Sequence, residues 1–298
     1  MRILLFGGNG QVGTELQRAL APLGELVIAT RDGSSPNGGA SVRADFNAPR
    51  SLPAVVDAVA PDVVVNAAAY TAVDRAEGDA DAAFRANAEA PEQIAAACAA
   101  RDAWLVHYST DYVFDGSSTR PYREDDPVAP LGIYGASKLA GERAIQASGA
   151  RHLIFRTAWV YASHGHNFLR TMLRLAAERD ELRVVDDQIG CPTPAWLIAD
   201  VTAHILATAP RQSGLWHLAA SGSTSWCGFA DAIIEGAFAN GLLQRRPAVR
   251  GISTGEYPAA AARPARSLLD TSRLQSDFDL ALPQWREGLQ RVLQELAG

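Results

Sequence analysis

The feature that most constrains the fold is the junction near the N-terminus between an apolar run and a glycine-rich turn. The run at 2–6 is apolar after its first residue, which is typical of a strand buried on both faces. Gly7, Gly10 and Gly13 follow at G-x-x-G-x-x-G spacing, and a helix is predicted directly after them, at about 11–22. A strand, a glycine turn and a helix in this order open a parallel, helix-covered sheet.

The alternation of strand and helix patterns continues through the first half of the chain. Further strands are predicted at 25–30, 41–45, 62–66, 103–109 and 152–157. Helices are predicted at 80–101, 133–148, 167–180, 195–208, 225–239 and 284–296, and a loop at 32–40. The predicted fold class is α/β, a Rossmann-like doubly wound parallel sheet with a smaller C-terminal substrate-binding lobe. We expect residues 1–160 to form the nucleotide-binding domain and residues 161–298 to form mainly the lobe, interleaved with the first.

Composition excludes several classes of protein. The net charge of −6 argues against non-specific nucleic-acid binding, and no segment near the N-terminus is long enough for a signal peptide or a membrane span. Three cysteines without CxxC spacing argue against a disulfide framework and against a zinc site. We therefore expect a cytoplasmic protein that binds neither nucleic acid nor membrane.

The glycine turn predicts a site for a dinucleotide. Glycines let the backbone approach a pyrophosphate, and the helix N-terminus presents free N–H groups to its charge. The second predicted strand ends at Thr30-Arg31-Asp32. Arg31 suits the 2′-phosphate of NADPH, whereas Asp32 suits the 2′-hydroxyl of NADH. The sequence favours NADPH and leaves NADH open.

Tyr134 and Lys138 form a YxxxK motif that carries the predicted chemistry. Their i, i+4 spacing places both side chains on one face of the predicted helix. A nearby ammonium is expected to lower the tyrosine pKa, so that the hydroxyl exchanges a proton with a substrate oxygen. Lys138 is the only lysine in a chain with 27 basic residues, which indicates a position that arginine cannot fill. Thr110, at the end of a predicted strand, is expected to bond the same oxygen as Tyr134.

These residues make the chain resemble the extended short-chain dehydrogenase/reductase family. The resemblance covers essentially the whole chain and is closest to the branch that reduces 4-keto sugar nucleotides. The stretches that carry it are 7–13, 66–74, 109–116, 134–138, 156–161, 187–194 and 263–267.

The resemblance implies a role for further residues. The cofactor phosphates would be held by Gly10, Gln11 and Val12. The adenine would lie between Asp45 and Phe46, and the rest of the cofactor groove would be lined by Ala69, Tyr70, Thr71 and Tyr108. Lys138 would also bond the nicotinamide ribose. The sugar would be contacted by Thr110, Asp111 and Trp159.

The implied reaction is reduction, by NAD(P)H, of the C4 ketone of a dTDP-linked 6-deoxy sugar. Related 4,6-dehydratases carry Thr-Asp-Glu, but here Tyr112 follows Thr110-Asp111, so the second acid that elimination requires is absent. Some relatives dimerise through Mg²⁺ held by glutamates. Glu15 is present, but Trp196 stands where a second acid is expected, so we predict no bound metal and leave a metal-free homodimer open.

Two alternatives share this scaffold. One is a sugar-nucleotide epimerase, which oxidises and re-reduces its substrate without net use of cofactor. The other is a non-catalytic subunit resembling the regulatory subunit of methionine adenosyltransferase. The intact Thr110, Tyr134 and Lys138 set favours an enzyme over that subunit.

Overall fold

A computed structural model describes residues 1–34, 38–208 and 212–298. The strands are β1 (Arg2–Phe6), β2 (Glu25–Thr30), β3 (Ser41–Arg43), β4 (Val63–Asn66), β5 (Trp104–Thr110), β6 (Arg151–Thr157), β7 (Val160–Tyr161), β8 (Glu181–Val185), β9 (Ile189–Gly190), β10 (Thr193–Pro194), β11 (Gly214–His217), β12 (Thr224–Ser225) and β13 (Ala248–Ile252). The α-helices are α1 (Gln11–Leu20), α2 (Leu52–Val59), α3 (Val73–Ala76), α4 (Ala80–Phe84), α5 (Ala90–Arg101), α6 (Ile133–Ala147), α7 (Phe168–Glu178), α8 (Ala195–Ala207), α9 (Trp226–Ala239), α10 (Ser272–Phe278) and α11 (Trp285–Ala297).

The main sheet has seven strands in the order β11-β6-β5-β4-β1-β2-β3, and every neighbouring pair is parallel. Alternate residues of its strands enter two separate cores. Ile3 and Leu5 of β1 pack with residues of α1, α8 and α9, while Leu4 and Phe6 pack with residues of α2 and α5. Both faces of the sheet are therefore covered by helices, and the predicted doubly wound fold is confirmed.

The described elements differ from the predicted ones in several places. The helix predicted at 80–101 is divided by a π-helical segment, Arg85–Glu89, between α4 and α5. The sequence did not predict the short helices α2, α3 and α10 or the strands β7 to β13, which include the edge strand β11. Part of the loop predicted at 32–40, residues 35–37, lies outside the described residues.

The C-terminal half contributes to both the sheet and a smaller lobe. Its strand β11 pairs with β6 at the edge of the main sheet, and its helix α8 packs on α1. The rest of the lobe contains the parallel pair β8–β13, covered by α9. Within the described ranges, no helix is both long and apolar enough to cross a membrane.

Candidate active site

The turn after β1 places glycine residues, which have no side chains, at the end of the sheet. Gly7 has φ +78°, and a Cβ there would lie 2.6 Å from the Ala68 nitrogen. A Cβ on Gly13 would collide with the Gly7 carbonyl group. Gly10 is the N-cap residue of α1 and has no side chain that could cap the helix. The free N–H groups of the first helical turn therefore remain available for an anion.

A cavity of about 430 Å³ lies beside this turn. The predicted cofactor residues that line it are Gly7, Gly10, Arg31, Phe46, Ala69 and Tyr70. Its wall joins glycine backbone to the apolar Phe46, whose ring packs edge-on against Phe6 with centroids 5.7 Å apart. A pyrophosphate fits the helix end and an adenine fits the apolar wall, so the residues present fit a dinucleotide.

Other predicted cofactor residues lie outside this wall. The side-chain oxygen of Gln11 accepts a hydrogen bond from Asn167, 2.8 Å away, and Val12 packs against the core. Asp45 accepts a bond from the Asn47 amide at 2.9 Å, and Thr71 is exposed.

Tyr108 lies differently from its predicted place in the groove. Its ring is buried against Phe155, and its hydroxyl is 2.8 Å from the Thr202 hydroxyl of α8. The ring points into the core because the sheet side chains alternate, and only the backbone carbonyl of Tyr108 faces Lys138.

Arg31 and Asp32 both line the cavity but differ in their bonding. One oxygen of the Asp32 carboxylate accepts bonds from the Ser34 amide and hydroxyl and from the Thr30 hydroxyl. These bonds hold the pKa of Asp32 below its usual value, the Ser34 hydroxyl having the largest effect. Arg31 is exposed and has no partner within the described residues, so its guanidinium is the free charge on this wall.

The helix that carries Tyr134 and Lys138 is packed closely at two glycines. A Cβ on Gly135 would collide with the Tyr112 carbonyl, and one on Gly141 with the Asn87 carbonyl. Asn87, in the π-helical segment, donates to the Ser137 hydroxyl at 3.0 Å. These contacts fix α6 against the segment 111–113 that follows β5.

Tyr134 lies next to Thr110. A hydrogen bond with Thr110 lowers the pKa of Tyr134, but burial has the larger effect and raises this pKa to about 12. The expected lowering by Lys138 was wrong, because the ammonium lies against other groups. Tyr112 packs edge-on against the Tyr134 ring with centroids 5.8 Å apart.

Lys138 is 2% exposed and donates to the Tyr108 carbonyl oxygen at 2.6 Å. Its Nζ atom is also 3.4 Å from Nε2 of His107. Burial lowers the pKa of Lys138 to about 8, while the Glu142 carboxylate raises it. The lysine is therefore buried against β5, with its Nζ atom held by groups of that strand.

Asp111 is buried and has an unsatisfied oxygen. The Thr110 hydroxyl donates to its Oδ1 atom at 3.1 Å, whereas Oδ2 has no partner within the described residues. Burial raises the pKa of Asp111 to about 7, and the polar Ser267 and Thr110 hydroxyls oppose this rise. An unpartnered buried carboxyl oxygen next to Thr110 is suited to receive a hydroxyl of a bound molecule.

Trp159 is held in an unusual backbone conformation, with φ +48°. Its indole stacks on that of Trp226, with centroids 3.5 Å apart and an interplanar angle of 6°. A Cβ on Gly190 would overlap the indole, so glycine backbone lies against its nitrogen side. One of its two apolar faces is thus covered by Trp226, which the sequence did not predict.

A second cavity, of about 780 Å³, lies between α7 and the segment 254–263. Three arginines line it: Arg179, Arg183 and Arg263. Its residues Ala261 and Ala262 also line a small cleft that contains Tyr112 and Tyr134. The cavity therefore adjoins the tyrosine. Arg183 is paired with Glu256 and Arg263 with Asp74, whereas Arg179 has no ion-pair partner among the described residues. Sequence reasoning missed Arg179 and Arg183, because arginine is common throughout this chain.

The surroundings of Glu15 and Trp196 carry no acidic cluster in the described residues. Glu15 is bonded to His164 at 3.1 Å, and the guanidinium of Arg291 lies 4.0 Å from the centre of the Trp196 ring. In the described parts of the chain, no three His, Cys, Asp or Glu residues are grouped so that they could hold a metal ion.

The parallel sheet, the glycine turn and the Thr110–Tyr134–Lys138 group define an NAD(P)-dependent oxidoreductase of the short-chain dehydrogenase/reductase class. The family model described as the RmlD substrate binding domain matches residues 1–297. The chain belongs to the dTDP-4-dehydrorhamnose reductase family, and the predicted resemblance is confirmed.

Relatives in this family match over nearly the full length. The dTDP-4-dehydrorhamnose reductase of Escherichia coli (strain K12) is 48% identical over 299 residues, which are 99% of this chain and 98% of the relative. That of Burkholderia thailandensis is 48% identical over 305 residues, 99% of each chain. The solved structure of the Bacillus anthracis reductase in complex with NADP has a TM-score of 0.89 and 36% identity, and 99% of each chain is covered.

Proposed function

We propose that this protein reduces the C4 ketone of dTDP-6-deoxy-L-lyxo-4-hexulose, giving dTDP-L-rhamnose, with NADPH or NADH as the reductant. The observation that carries the proposal is the hydroxyl pair of Thr110 and Tyr134, beside an arginine-lined cavity and at the end of a sheet with a dinucleotide turn. The names of the relatives, which match over the whole chain, supply the substrate.

When bound, the cofactor supplies a hydride, and the protein supplies the proton. Gly7, Gly10 and the N-terminus of α1 would hold its phosphates, and Arg31 would interact with its adenosine end. The Thr110 and Tyr134 hydroxyls donate hydrogen bonds to the ketone oxygen, which becomes an alkoxide. Tyr134 then transfers its proton to this oxygen and regains one from water. Ketone, hydride and proton together give the alcohol.

A tyrosine with a pKa of about 12 suits this direction of reaction. It remains protonated at neutral pH and is therefore ready to act as a general acid toward a forming alkoxide. The Tyr112 side chain, in the place where the dehydratases have their second acid, cannot remove the proton that elimination requires.

The C-terminal lobe supports binding of the sugar nucleotide. We assign the nucleotide diphosphate to the cavity with Arg179, Arg183 and Arg263, because guanidinium groups bond phosphate oxygens well and Arg179 has no ion-pair partner among the described residues. Asp111 and Trp159 are assigned to the sugar, which is consistent with the free Oδ2 atom of Asp111. We also propose that residues 1–160 form the nucleotide-binding domain and residues 161–298 mainly the lobe. The same proposal includes a cytoplasmic location and the ability to form a homodimer.

The experiment follows cofactor consumption and product together. Purified protein, the 4-keto sugar nucleotide and NADPH should yield one equivalent of dTDP-L-rhamnose per equivalent of cofactor oxidised. dTDP-glucose should not be dehydrated. Product without net cofactor oxidation would indicate the epimerase, and neither product nor oxidation would refute the proposal.

A further inference from the structure

A buried chain of hydrogen-bonding groups ends at Lys138. It runs from the Ala68 amide through Asn66 of β4 and His107 of β5 to the lysine Nζ atom. Asn66 is 1% exposed, His107 is 0% exposed and Lys138 is 2% exposed. Water therefore has little access to this chain, and the proton positions are set by the groups themselves.

The first link fixes the orientation of the Asn66 amide. The Ala68 N–H can only donate, and it donates to Oδ1 of Asn66 at 3.1 Å. The other amide atom, Nδ2, then faces Nδ1 of His107 at 3.1 Å. Because an amide nitrogen can only donate, Nδ1 of His107 must accept and carries no proton.

The second link follows from the first. A neutral imidazole that accepts at Nδ1 carries its proton at Nε2, and this N–H faces Nζ of Lys138 at 3.4 Å. Such an N–H can donate to the lone pair of an amine but cannot accept from an ammonium. The arrangement therefore disfavours the charged form of the lysine.

Other groups around Lys138 act in different directions. Glu142, on the same helix, favours the charged lysine, but both of its oxygens are bonded by Arg156 of β6, at 2.9 and 2.7 Å. Asp111 and Tyr112, from the segment after β5, face Tyr134 on the same helix. Asn87, from the π-helical segment, is neutral and bonds Ser137.

We propose that His107, held as its Nε2–H tautomer by Asn66, is a positioning residue that sets the protonation state of Lys138. The consequence is a lysine that gains and loses its proton near neutral pH, where proton exchange with neighbouring groups is most efficient. Burial, the largest cause, and the charge of Lys138 hold the pKa of His107 well below its usual value, so the imidazole is neutral. Only the use made of the lysine proton rests on the proposed function; the tautomer and the titration do not.

The single lysine allows a direct test without substrate. Protein labelled with ¹³C at lysine Cε gives one lysine resonance, and its pH dependence is the titration of Lys138. In Asn66→Asp the new carboxylate can only accept, so the His107 proton moves to Nδ1. The unprotonated Nε2 atom then accepts a hydrogen bond from the Lys138 ammonium. We expect the midpoint to rise by about one pH unit or more.

The double variant Asn66→Asp/His107→Phe separates the tautomer from the added charge. If the effect passes through the imidazole, the same Asn66→Asp change should shift the midpoint far less when measured against His107→Phe alone. Equal shifts in both backgrounds, or no shift in either, would overturn the proposal. Thr202→Val, which removes the bond to Tyr108 on the opposite face of β5, is the matched control and should leave the titration unchanged.

A second measurement does not depend on how the variants fold. The ¹⁵N spectrum of the imidazoles in the unaltered protein should contain a neutral histidine protonated at Nε2, in contact with the lysine side chain. A histidine protonated at Nδ1 in contact with Lys138 would refute the tautomer. Because neither experiment requires turnover, a failed reductase assay leaves this proposal separately testable.

Discussion

At the scale of single residues, burial determines the chemistry of the site more than charge does. Tyr134, Lys138 and Asp111 each have burial as the largest cause of a shifted pKa, and in each case the shift favours the neutral form. The tyrosine remains a proton donor, while the lysine and the aspartate titrate close to neutrality. Hydrogen bonds and neighbouring charges modify these values but do not reverse them.

Tyr134→Phe tests the proton donor. The change removes the hydroxyl and keeps the ring against Tyr112, so the protein should fold and bind cofactor normally. General acid catalysis contributes roughly 10²–10⁴-fold, and we expect kcat to fall by about this factor. Steady-state kinetics and a cofactor-binding titration check both expectations. Tyr122→Phe, which loses a hydroxyl bonded to Asp115 outside the site, should retain near-normal kcat; equal losses in the two variants would contradict the assignment.

Asp111→Asn tests the raised carboxyl pKa. Since the folded-state pKa of about 7 exceeds the unfolded value, the folded protein loses stability as pH rises from the unfolded pKa to about 7. The neutral amide avoids this cost, so the variant should gain roughly 1–3 kcal/mol relative to the unaltered protein at pH 8 and little at pH 4. Denaturant unfolding at both pH values measures the difference. Asp115→Asn, at a carboxylate whose pKa is lowered by bonds from Ser117 and Tyr122, should lose stability at pH 8. A loss at pH 8 for Asp111→Asn as well would contradict the argument.

Arg31→Ala tests the choice of cofactor. Asp32 is engaged by Thr30 and Ser34, whereas the guanidinium of Arg31 is free to meet a 2′-phosphate. The Kd for NADPH should rise by about tenfold or more, as expected on losing a charge-assisted bond, and the Kd for NADH should change little. Calorimetric titration with each cofactor gives the ratio, and Arg50→Ala, at an exposed arginine outside the cavity, is the control. Equal weakening of both cofactors would show that Arg31 does not distinguish them.

At the scale of elements, close packing of α6 aligns the reacting side chains. Gly135 allows the first turn of this helix to approach the Tyr112 carbonyl. Gly141 allows a later turn to approach the Asn87 carbonyl. The helix is thereby held against both β5 and the π-helical segment. A displacement of α6 would move Tyr134 away from Thr110, since the two are carried by different elements.

Gly135→Ala is therefore expected to harm activity, although alanine favours helices. The added methyl collides with the Tyr112 carbonyl, and such overpacking typically costs about 1–3 kcal/mol of stability. The higher helix propensity of alanine contributes only about 1 kcal/mol in the opposite direction. Both the unfolding free energy and kcat should fall. The same substitution at Gly78, where the nearest atom would be 3.9 Å from the new carbon, should change neither. A stabilised Gly135→Ala variant with full activity would show that the helix does not need this approach.

At the scale of the whole molecule, the two halves of the chain are joined on both sides of the site. Asp74 bonds Arg263 at 2.7 Å and the Ala261 amide at 3.1 Å, which ties the first half to the cavity wall. On the far side, α8 packs on α1, and β11 completes the sheet. The site therefore lies between segments that are distant in sequence but attached to one scaffold.

Treatment with EDTA tests the assembly. The resemblance implies a Mg²⁺ site between glutamates in some members, whereas in this chain Trp196 lies under the guanidinium of Arg291. Activity and molecular mass should both be unchanged after chelation. Light scattering after gel filtration, with and without added Mg²⁺, measures the mass. A chelator-dependent change from dimer to monomer would show that a metal bridges the subunits.

The sequence by itself determined the features that depend on local spacing. The order of strands and helices follows from periodicities of two and 3.6 residues. The N-terminal glycine turn and the Tyr134–Lys138 spacing are short motifs of neighbouring residues. The family followed from short motifs in a fixed order. The short helix α2 and the strand β11 escaped prediction, because four to eight residues carry too little periodicity.

The tertiary structure decided what each group in the site touches. Lys138 lies 30 and 31 residues along the chain from its partners Tyr108 and His107. No local sequence pattern predicts a contact between residues so far apart in sequence. The direction of the Tyr134 pKa, the inward ring of Tyr108 and the stacking of Trp226 on Trp159 were decided in the same way. The physical reason is that burial and hydrogen bonding depend on distances in space, which separate strands and helices set only when they pack together.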